Sequence, residues 1–359
     1  MIGVGFALMY MAIVKGFEPN LLLAMGFGTV LANLPLSSAI TQVIGGVETE
    51  GALTLLFNGG IANELFPLLI FIAIGAMCDF TPLISNPRML IFGITAQVGI
   101  LITFLLARQL GYSIHEAAAI GIIGAADGPT SIYVANRFAQ HLLPPISVAA
   151  YTYMAIVPLI QPPVVKLLTT KSERAIRMTY TERPVSRKVL VLFPIGVTIV
   201  SGLVAPASVA LIGFLMFGNL IRVSGVTERL AQAAQNELAN IVTILLGLSI
   251  SATMTWDRFV NLSTLTIILM GLFAFICDTA GGVISAKLLN IILPANLKFN
   301  PIVGAAGISA FPMASRVAQR LGQEADPGNF LLMHAVGANV AGQIGSVLAG
   351  GLMLAYLGG

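Results

Sequence analysis

The stretch Ile120-Gly-Ile-Ile-Gly-Ala-Ala-Asp127-Gly-Pro-Thr-Ser-Ile-Tyr133 places one acidic residue in strongly apolar sequence. Its glycines and its proline disfavour an unbroken helix. A carboxylate in hydrocarbon is costly, so it normally faces a helix-bundle interior, a cavity or a cation. Broken backbone at membrane depth is tolerated only where protein or a cavity covers it. The stretch therefore predicts a cation site at a helix break, and the plainer alternative is a loop or helix cap that carries an Asp.

Composition indicates a membrane protein. Of the 359 residues, 57% are hydrophobic and 9% are charged, whereas a soluble domain has about 25% charged residues. We therefore predict an all-α polytopic membrane protein. The net charge of +3 identifies no partner by itself, because in a membrane protein the position of the positive residues matters more than their sum. We expect no nucleic-acid partner. Cys78 and Cys277 show neither a disulfide framework nor metal-ligand spacing.

One polar segment divides the chain. Residues 169–188 are rich in Lys and Arg, and the positive-inside rule places them in the cytoplasm. An interfacial helix and a docking surface for a soluble partner are alternatives for this segment. The predicted organisation is a first membrane repeat over 1–168, a basic cytoplasmic linker over 169–188 and a second membrane repeat over 189–359. Asp278-Thr-Ala-Gly-Gly282 is expected to interrupt an apolar span in the second repeat.

The two repeats share short motifs in the same order. Three matches lie at offsets of 173, 180 and 179 residues. They pair Asn63-Glu-Leu65 with Asn236-Glu-Leu238, Gly124-Ala-Ala126 with Gly304-Ala-Ala306, and Arg137-Phe-Ala-Gln140 with Arg316-Val-Ala-Gln319. Many secondary transporters consist of two halves in inverted topology whose discontinuous segments meet at the substrate site. We expect the same inverted arrangement here.

That arrangement predicts where the site lies. Asp127 of the first half and the stretch 300–309 of the second half should approach each other near the membrane midplane. Carbonyl groups freed at the helix breaks, together with Asp127 and hydroxyl or amide oxygens, suit a small hard cation such as Na+. Arg316 could meet an anionic group beside that cation.

Several motifs resemble a known family. They are Lys15-Gly-Phe-Glu-Pro19, Gly124-Ala-Ala-Asp127-Gly-Pro-Thr130, Asn300-Pro-Ile-Val-Gly304-Ala-Ala-Gly-Ile-Ser309-Ala, Asp326-Pro-Gly-Asn-Phe-Leu-Leu-Met-His334-Ala and Gly342-Gln-Ile-Gly-Ser346. They are similar to the β subunit of the biotin-dependent sodium-pumping decarboxylases, which act on oxaloacetate, methylmalonyl-CoA or glutaconyl-CoA. The compact length looks more like that of the acyl-CoA enzymes.

The resemblance implies a mechanism and a set of partners. A carboxyltransferase α subunit would move CO2 onto biotin on a carrier subunit, and carboxybiotin would reach this chain. The chain would decarboxylate carboxybiotin with uptake of a proton and export Na+. A small membrane subunit, a homotrimer, an elevator-like core moving against a scaffold and a location in the bacterial or archaeal cytoplasmic membrane are also implied. The sequence has no Met-Lys-Met biotinylation motif and no Walker A motif, so biotin must come from a partner.

The resemblance also implies catalytic roles. Asp127 would be a Na+ ligand and a site of Na+/H+ exchange. Tyr153 would lie near the ion path and assist proton delivery, although an interfacial anchor is the alternative. Arg316 would hold the carboxylate of carboxybiotin, and a cytoplasmic positive-inside anchor is the alternative.

A second ion site, or its backbone, is implied in the other half. Asn300, Gly304 and Ser309 would shape it. Asn300 could instead cap the following helix, and Ser309 could be a small packing residue.

A different class of function fits the same features. A Na+-coupled secondary transporter of an organic anion, acting without biotin, would use the same repeat and helix breaks. Copurification of a biotinylated subunit favours the first function, and uptake by this chain alone in liposomes favours the second. A membrane scaffold without transport fits poorly because polar groups lie within the apolar spans.

Overall fold

The computed structural model describes residues 1–44, 47–180, 184–294 and 297–358. In that part of the chain the helices are α1 Ile2–Ile13, α2 Pro19–Ala32, α3 Ala52–Phe57, α4 Leu65–Met77, α5 Thr81–Ser85, α6 Leu90–Thr95, α7 Val98–Gln109, α8 Ile114–Gly121, α9 Gly128–Phe138, α10 Leu143–Ala155, α11 Val157–Leu168, α12 Lys171–Arg174, α13 Arg187–Val204, α14 Val209–Val223, α15 Glu228–Ala233, α16 Ala239–Ser251, α17 Trp256–Phe259, α18 Leu262–Ile292, α19 Pro301–Ala305, α20 Met313–Ala325 and α21 Leu332–Leu357. Strands β1 Gln42–Ile44 and β2 Val47–Thr49 form an antiparallel hairpin.

The prediction of an all-α polytopic membrane protein is confirmed. Within the described residues, six helices are long and apolar enough to cross a membrane, and up to eight spans result if each bent helix pair is one span. The six are Pro87–Gln109, Arg187–Val204, Pro206–Val223, Glu228–Ser251, Leu262–Ile292 and Leu332–Leu357. The bent pairs are Ala52–Ala62 with Leu65–Met77, at 61°, and Gln140–Ala155 with Val157–Leu168, at 68°. About 20 apolar residues are needed to cross the hydrocarbon core as a helix.

Both predicted helix breaks that surround the site are present. After α8, a 3₁₀ turn at Ile122–Ala125 leads to Ala126 in the left-handed conformation with φ 53°, and α9 starts only after Asp127. In the second half, the short α19 is followed by non-helical chain up to α20. The Ser309 N–H donates to the Ala125 carbonyl at 3.1 Å, so the two breaks are directly bonded to each other.

The predicted interruption at Asp278–Gly282 is wrong. Helix α18 runs without a break through this segment for 31 residues. Its small residues serve close helix packing instead, because a Cβ on Gly282 would collide with the carbonyl group of Gly304 in α19. The Asp278 carboxylate, fully buried, accepts a hydrogen bond from the Gly99 N–H at the start of α7.

The polar linker forms hydrogen bonds with residues of the second half. Thr181, Glu182 and Arg183 lie outside the described residues. The Asn300 side chain donates to the carbonyl groups of Arg174 and Ile176 at 2.7 and 2.8 Å. Arg177 donates two hydrogen bonds to Asp326, at 2.6 and 3.0 Å, and these lower the pKa of Asp326. The cytoplasmic location of the linker, the repeat boundaries and the inverted topology stay predictions.

A substitution on α14 tests the close packing of α14 against α4. A Cβ on Gly218 would collide with the carbonyl oxygen of Ile72, whereas a Cβ on Gly213 would meet only the Thr198 methyl at 3.9 Å. We expect Gly218→Ala to lower the free energy of unfolding by about 1–3 kcal/mol, since overpacking forces the helices apart. Gly213→Ala should be neutral or stabilising by up to about 1 kcal/mol, because Ala favours helix. Thermal unfolding of the detergent-solubilised protein measures both, and equal melting temperatures for the two variants would contradict this packing argument.

Candidate functional site

Asp127 is the N-cap residue of α9, and its carboxylate is 3% exposed. Oδ1 accepts from the Thr130 N–H at 3.2 Å. Oδ2 accepts from the Thr130 hydroxyl at 2.7 Å and from the Ser346 hydroxyl at 2.7 Å. Asp is a favoured N-cap residue because its carboxylate satisfies an unpaired N–H of the first helical turn. Asp127 can therefore cap α9 and also belong to a cation site. Of the three groups that donate to its carboxylate, one, the Ser346 hydroxyl, comes from α21.

The Asp127 cavity is an internal space of about 190 Å³ beside this carboxylate. Helices α2, α4, α10 and α16 form much of its wall, and most of their lining side chains are apolar. Tyr151 also lines it, and its ring packs so closely on Gly128 that a Cβ there would overlap it. One water takes about 30 Å³ of liquid volume, so the Asp127 cavity has room for a small cation and a few waters.

The second half contributes oxygen atoms to the same cavity. Ser309 and Gln343 both line it. The Gln343 amide donates to the Ser309 carbonyl, and the Ser309 hydroxyl donates to the Gly342 carbonyl at 2.7 Å. The Gln343 side chain is 3% exposed, and its Oε1 has no hydrogen-bond partner among the described residues. Carboxylate, amide and carbonyl oxygens are the ligands that hard cations prefer.

The residues predicted for the site separate into two groups. Asp127 and Ser309 line one cavity. Asn300 instead caps α19 through the Ile302 N–H at 3.0 Å and holds the linker. Gly304 packs against the Gly282 backbone. These two residues therefore hold the second break in place without lining the Asp127 cavity.

Tyr153 and Arg316 also lie outside the lining of the Asp127 cavity. The Tyr153 hydroxyl donates to the Ile268 carbonyl and so joins α10 to α18. Arg316 is exposed on α20, and its guanidinium forms no hydrogen bond or ion pair with the part of the chain that the structure describes. The roles expected for both residues stay predictions.

Sequence reasoning missed four residues that surround Asp127: Thr130, Tyr151, Gln343 and Ser346. Thr130 had a usable signal, because it follows Asp127 at the spacing of a helix cap. Gln343 is a polar residue in an apolar span, for which hydrogen bonding between helices is an equal explanation. Ser346 appears in the sequence only as the last residue of the Gly342-Gln-Ile-Gly-Ser346 motif. No local signal distinguishes Tyr151 from Tyr153.

Comparison with known proteins decides the family. The chain matches the family model described as "Na+-transporting oxaloacetate decarboxylase beta subunit" over residues 1–357. The chain belongs to this family. The resemblance found in its motifs is thereby confirmed.

Three relatives illustrate the range of the family. Glutaconyl-CoA decarboxylase subunit beta of Acidaminococcus fermentans is 52% identical over 356 residues, which is 99% of this chain and 92% of the relative. Methylmalonyl-CoA decarboxylase subunit beta of Veillonella parvula is 52% identical over 357 residues, which is again 99% of this chain and 92% of the relative. The oxaloacetate decarboxylase beta chain of Klebsiella pneumoniae is 44% identical over 411 aligned positions, which cover 99% of this chain and 94% of the relative. The chain is thus the membrane subunit of a multi-subunit decarboxylase sodium pump.

A substitution on α21 tests the bond between the two halves at Asp127. We expect Ser346→Ala to raise the Na+ concentration for half-maximal decarboxylation about tenfold, because a hydrogen bond to a charged group contributes about 1.5–3 kcal/mol. Ser251→Ala is the control, since the buried Ser251 hydroxyl bonds only to Leu248 of its own helix, at 2.5 Å. A Na+ titration of the assembled complex measures the effect. An unchanged Na+ dependence in Ser346→Ala would show that this bond does not support ion binding.

Proposed function

We propose that this chain decarboxylates carboxybiotin presented by a biotin carrier subunit and couples that reaction to Na+ export across the cytoplasmic membrane of a bacterium or archaeon. The observation that carries the proposal is the buried Asp127 carboxylate, which lines a cavity built from both halves of the chain. An acid at membrane depth is characteristic of an ion pathway. Membership of a Na+-transporting family supports Na+ as the transported ion.

Coupling requires Na+ and a proton to compete for one negative charge. Asp127 provides such a charge, since its carboxylate is buried and the cavity beside it is small. A buried carboxylate is stabilised either by protonation or by a bound cation. Exchange of the two at Asp127 would link proton consumption to Na+ release. Thr130 and Ser346 orient the carboxylate in either state through their hydroxyl groups.

Carboxybiotin would be held by Arg316. The guanidinium is exposed and has no partner among the described residues, so it is available to an incoming anion. Arginine binds carboxylates through two parallel hydrogen bonds. Carboxybiotin supplies the labile N–CO2 bond, and this chain supplies the positive charge that orients its carboxylate.

The remaining site residues have supporting roles in the proposal. Tyr153 would take part in proton delivery at the contact of α10 with α18, where its hydroxyl now donates to Ile268. Asn300 and Gly304 would shape a second ion site through the backbone of α19, which they hold in position.

The partners follow from the chemistry. A carboxyltransferase α subunit and a biotin carrier would generate carboxybiotin, and a small membrane subunit would complete the complex, with this chain forming a homotrimer that moves a core against a scaffold. We propose an acyl-CoA as the primary substrate. The greater identity to the glutaconyl-CoA and methylmalonyl-CoA relatives, 52% against 44% for an oxaloacetate relative, supports this choice.

Asp127→Asn tests the ion site. We expect it to abolish Na+-dependent decarboxylation and Na+ transport in proteoliposomes that contain the assembled complex, because the neutral amide cannot exchange Na+ for a proton. Glu48→Gln, an exposed change on the β-hairpin, is the control. Normal Na+-stimulated turnover in a correctly inserted Asp127→Asn protein would remove Asp127 from the mechanism. Organic-anion uptake by this chain alone would favour the Na+-coupled transporter instead.

Arg316→Ala tests the carboxybiotin contact. We expect the concentration of carboxylated carrier needed for half-maximal rate to rise about tenfold or more, with the Na+ dependence unchanged, because a charge-assisted bidentate contact is lost. Arg320→Ala is the matched control on the same helix, since Arg320 already lies 3.8 Å from Glu324. Steady-state kinetics with separately varied carrier and Na+ measures both quantities. A selective loss of Na+ affinity would contradict this assignment.

A further inference from the structure

A second carboxylate faces the Asp127 cavity and has no part in the mechanism described above. Glu18, which precedes α2, lines the cavity together with Asp127. Its side chain is half-buried, and its carboxylate accepts no hydrogen bond and forms no ion pair within the described residues. An acid in the interior of a membrane protein is normally paired or bound to a cation. Glu18 therefore lines the cavity without a partner among the described residues.

The backbone places Glu18 at the cavity in an unfavourable conformation. Its φ of 33° and ψ of 60° lie in the left-handed region, which L residues other than glycine rarely adopt. Its carbonyl group accepts from the N–H groups of Leu21 and Leu22 at 3.1 and 3.0 Å. Although Glu18 is the N-cap residue of α2, its side chain makes no capping hydrogen bond. The carboxylate is thus left free to face the cavity.

The charge of the cavity is unbalanced. Among its described lining residues, Glu18 and Asp127 are the only charged ones, so no Lys, Arg or His offsets them there. Two carboxylates facing one low-dielectric space repel each other and attract cations. Gln343 gives independent evidence for a ligand, since its 3% exposed side chain lines the cavity with an Oε1 that has no partner in the described structure.

We propose that Glu18 is a cation ligand of the Asp127 cavity. Its carboxylate shares with Asp127 the Na+ that enters the cavity, and its negative charge raises the affinity of the cavity for that Na+. A cation that enters the cavity is attracted by both carboxylates, and the free Gln343 oxygen is available to it. This inference rests on the proposed function of Asp127 as the Na+ ligand.

Two variants remove the Glu18 carboxylate in different ways. Glu18→Gln keeps the size of the side chain and removes its charge. Glu18→Gly also removes the charge, and glycine adopts the left-handed backbone conformation without steric cost, so the fold is retained. We expect both variants to raise about tenfold the Na+ concentration for half-maximal decarboxylation by the assembled complex, because each loses one attractive charge. Glu48→Gln is the control and should match the parent.

A binding measurement that does not depend on turnover accompanies the kinetics. The thermal stability of the purified, detergent-solubilised chain is measured over a series of NaCl concentrations, with choline chloride holding ionic strength constant. A ligand that binds the folded state stabilises it by RT ln(1 + L/Kd), where L is the ligand concentration, so a tenfold weaker site needs a tenfold higher ligand concentration for the same stabilisation. Na+ should stabilise both Glu18 variants only at concentrations about tenfold above those that stabilise the parent.

The outcomes separate this inference from the proposed function. An Na+ dependence equal to that of the parent in both Glu18 variants would overturn the role of Glu18, and so would an effect in Glu18→Gln that Glu18→Gly does not reproduce. Asp127→Asn is measured in parallel. If it loses the response to Na+ while the Glu18 variants behave as the parent, only the inference on Glu18 fails. If Asp127→Asn keeps the response to Na+, the proposed function fails and the role of Glu18 falls with it.

Discussion

A buried carboxylate needs partners for its oxygen atoms, and the candidate site depends on how Asp127 meets this need. One donor residue, Thr130, is local, and the other, Ser346, comes from the far end of the chain. The Ser309 N–H bonds the second break to the Ala125 carbonyl of the first. The polar groups of the proposed ion site are therefore the same ones that join the two halves, so this arrangement cannot form unless the halves are packed together.

Sequence was informative where a local feature has a strong physical cost. Asp127 could be singled out because an isolated acid among apolar residues, next to glycine and proline, has few structural explanations in a membrane. The same reasoning failed at Asp278. There the glycines of α18 permit contact with α19, and the acid is buried against the start of α7. A glycine can break a helix or allow a neighbouring helix to approach closely, and the packing neighbour decides which. The local sequence of α18 does not reveal that α19 is this neighbour.

The site itself could be predicted only in part, for a related reason. Successive residues of a helix point about 100° apart, so choosing Tyr151 over Tyr153 requires knowing which face of α10 meets the cavity. The stretch 300–309 carries two separate functions in the structure, since Asn300 binds the linker whereas Ser309 reaches the cavity. A motif recognised as a unit thus does not act as a unit. Residues 300–309 span the distance between the linker, which Asn300 binds, and the Asp127 cavity, which Ser309 lines.

The attachment of the linker has a mechanical consequence. Asn300 and Asn329 donate to the same two carbonyl groups, those of Arg174 and Ile176. Up to Ile176, the connection between the halves is therefore an ordered segment whose backbone is hydrogen-bonded to the second half. A displacement of residues 174–176 would therefore shift the start of α19 directly, through the side chain of Asn300. The linker backbone at Arg174 and Ile176 is thus held from two sides, by the residue that caps α19 and by a residue that precedes α21.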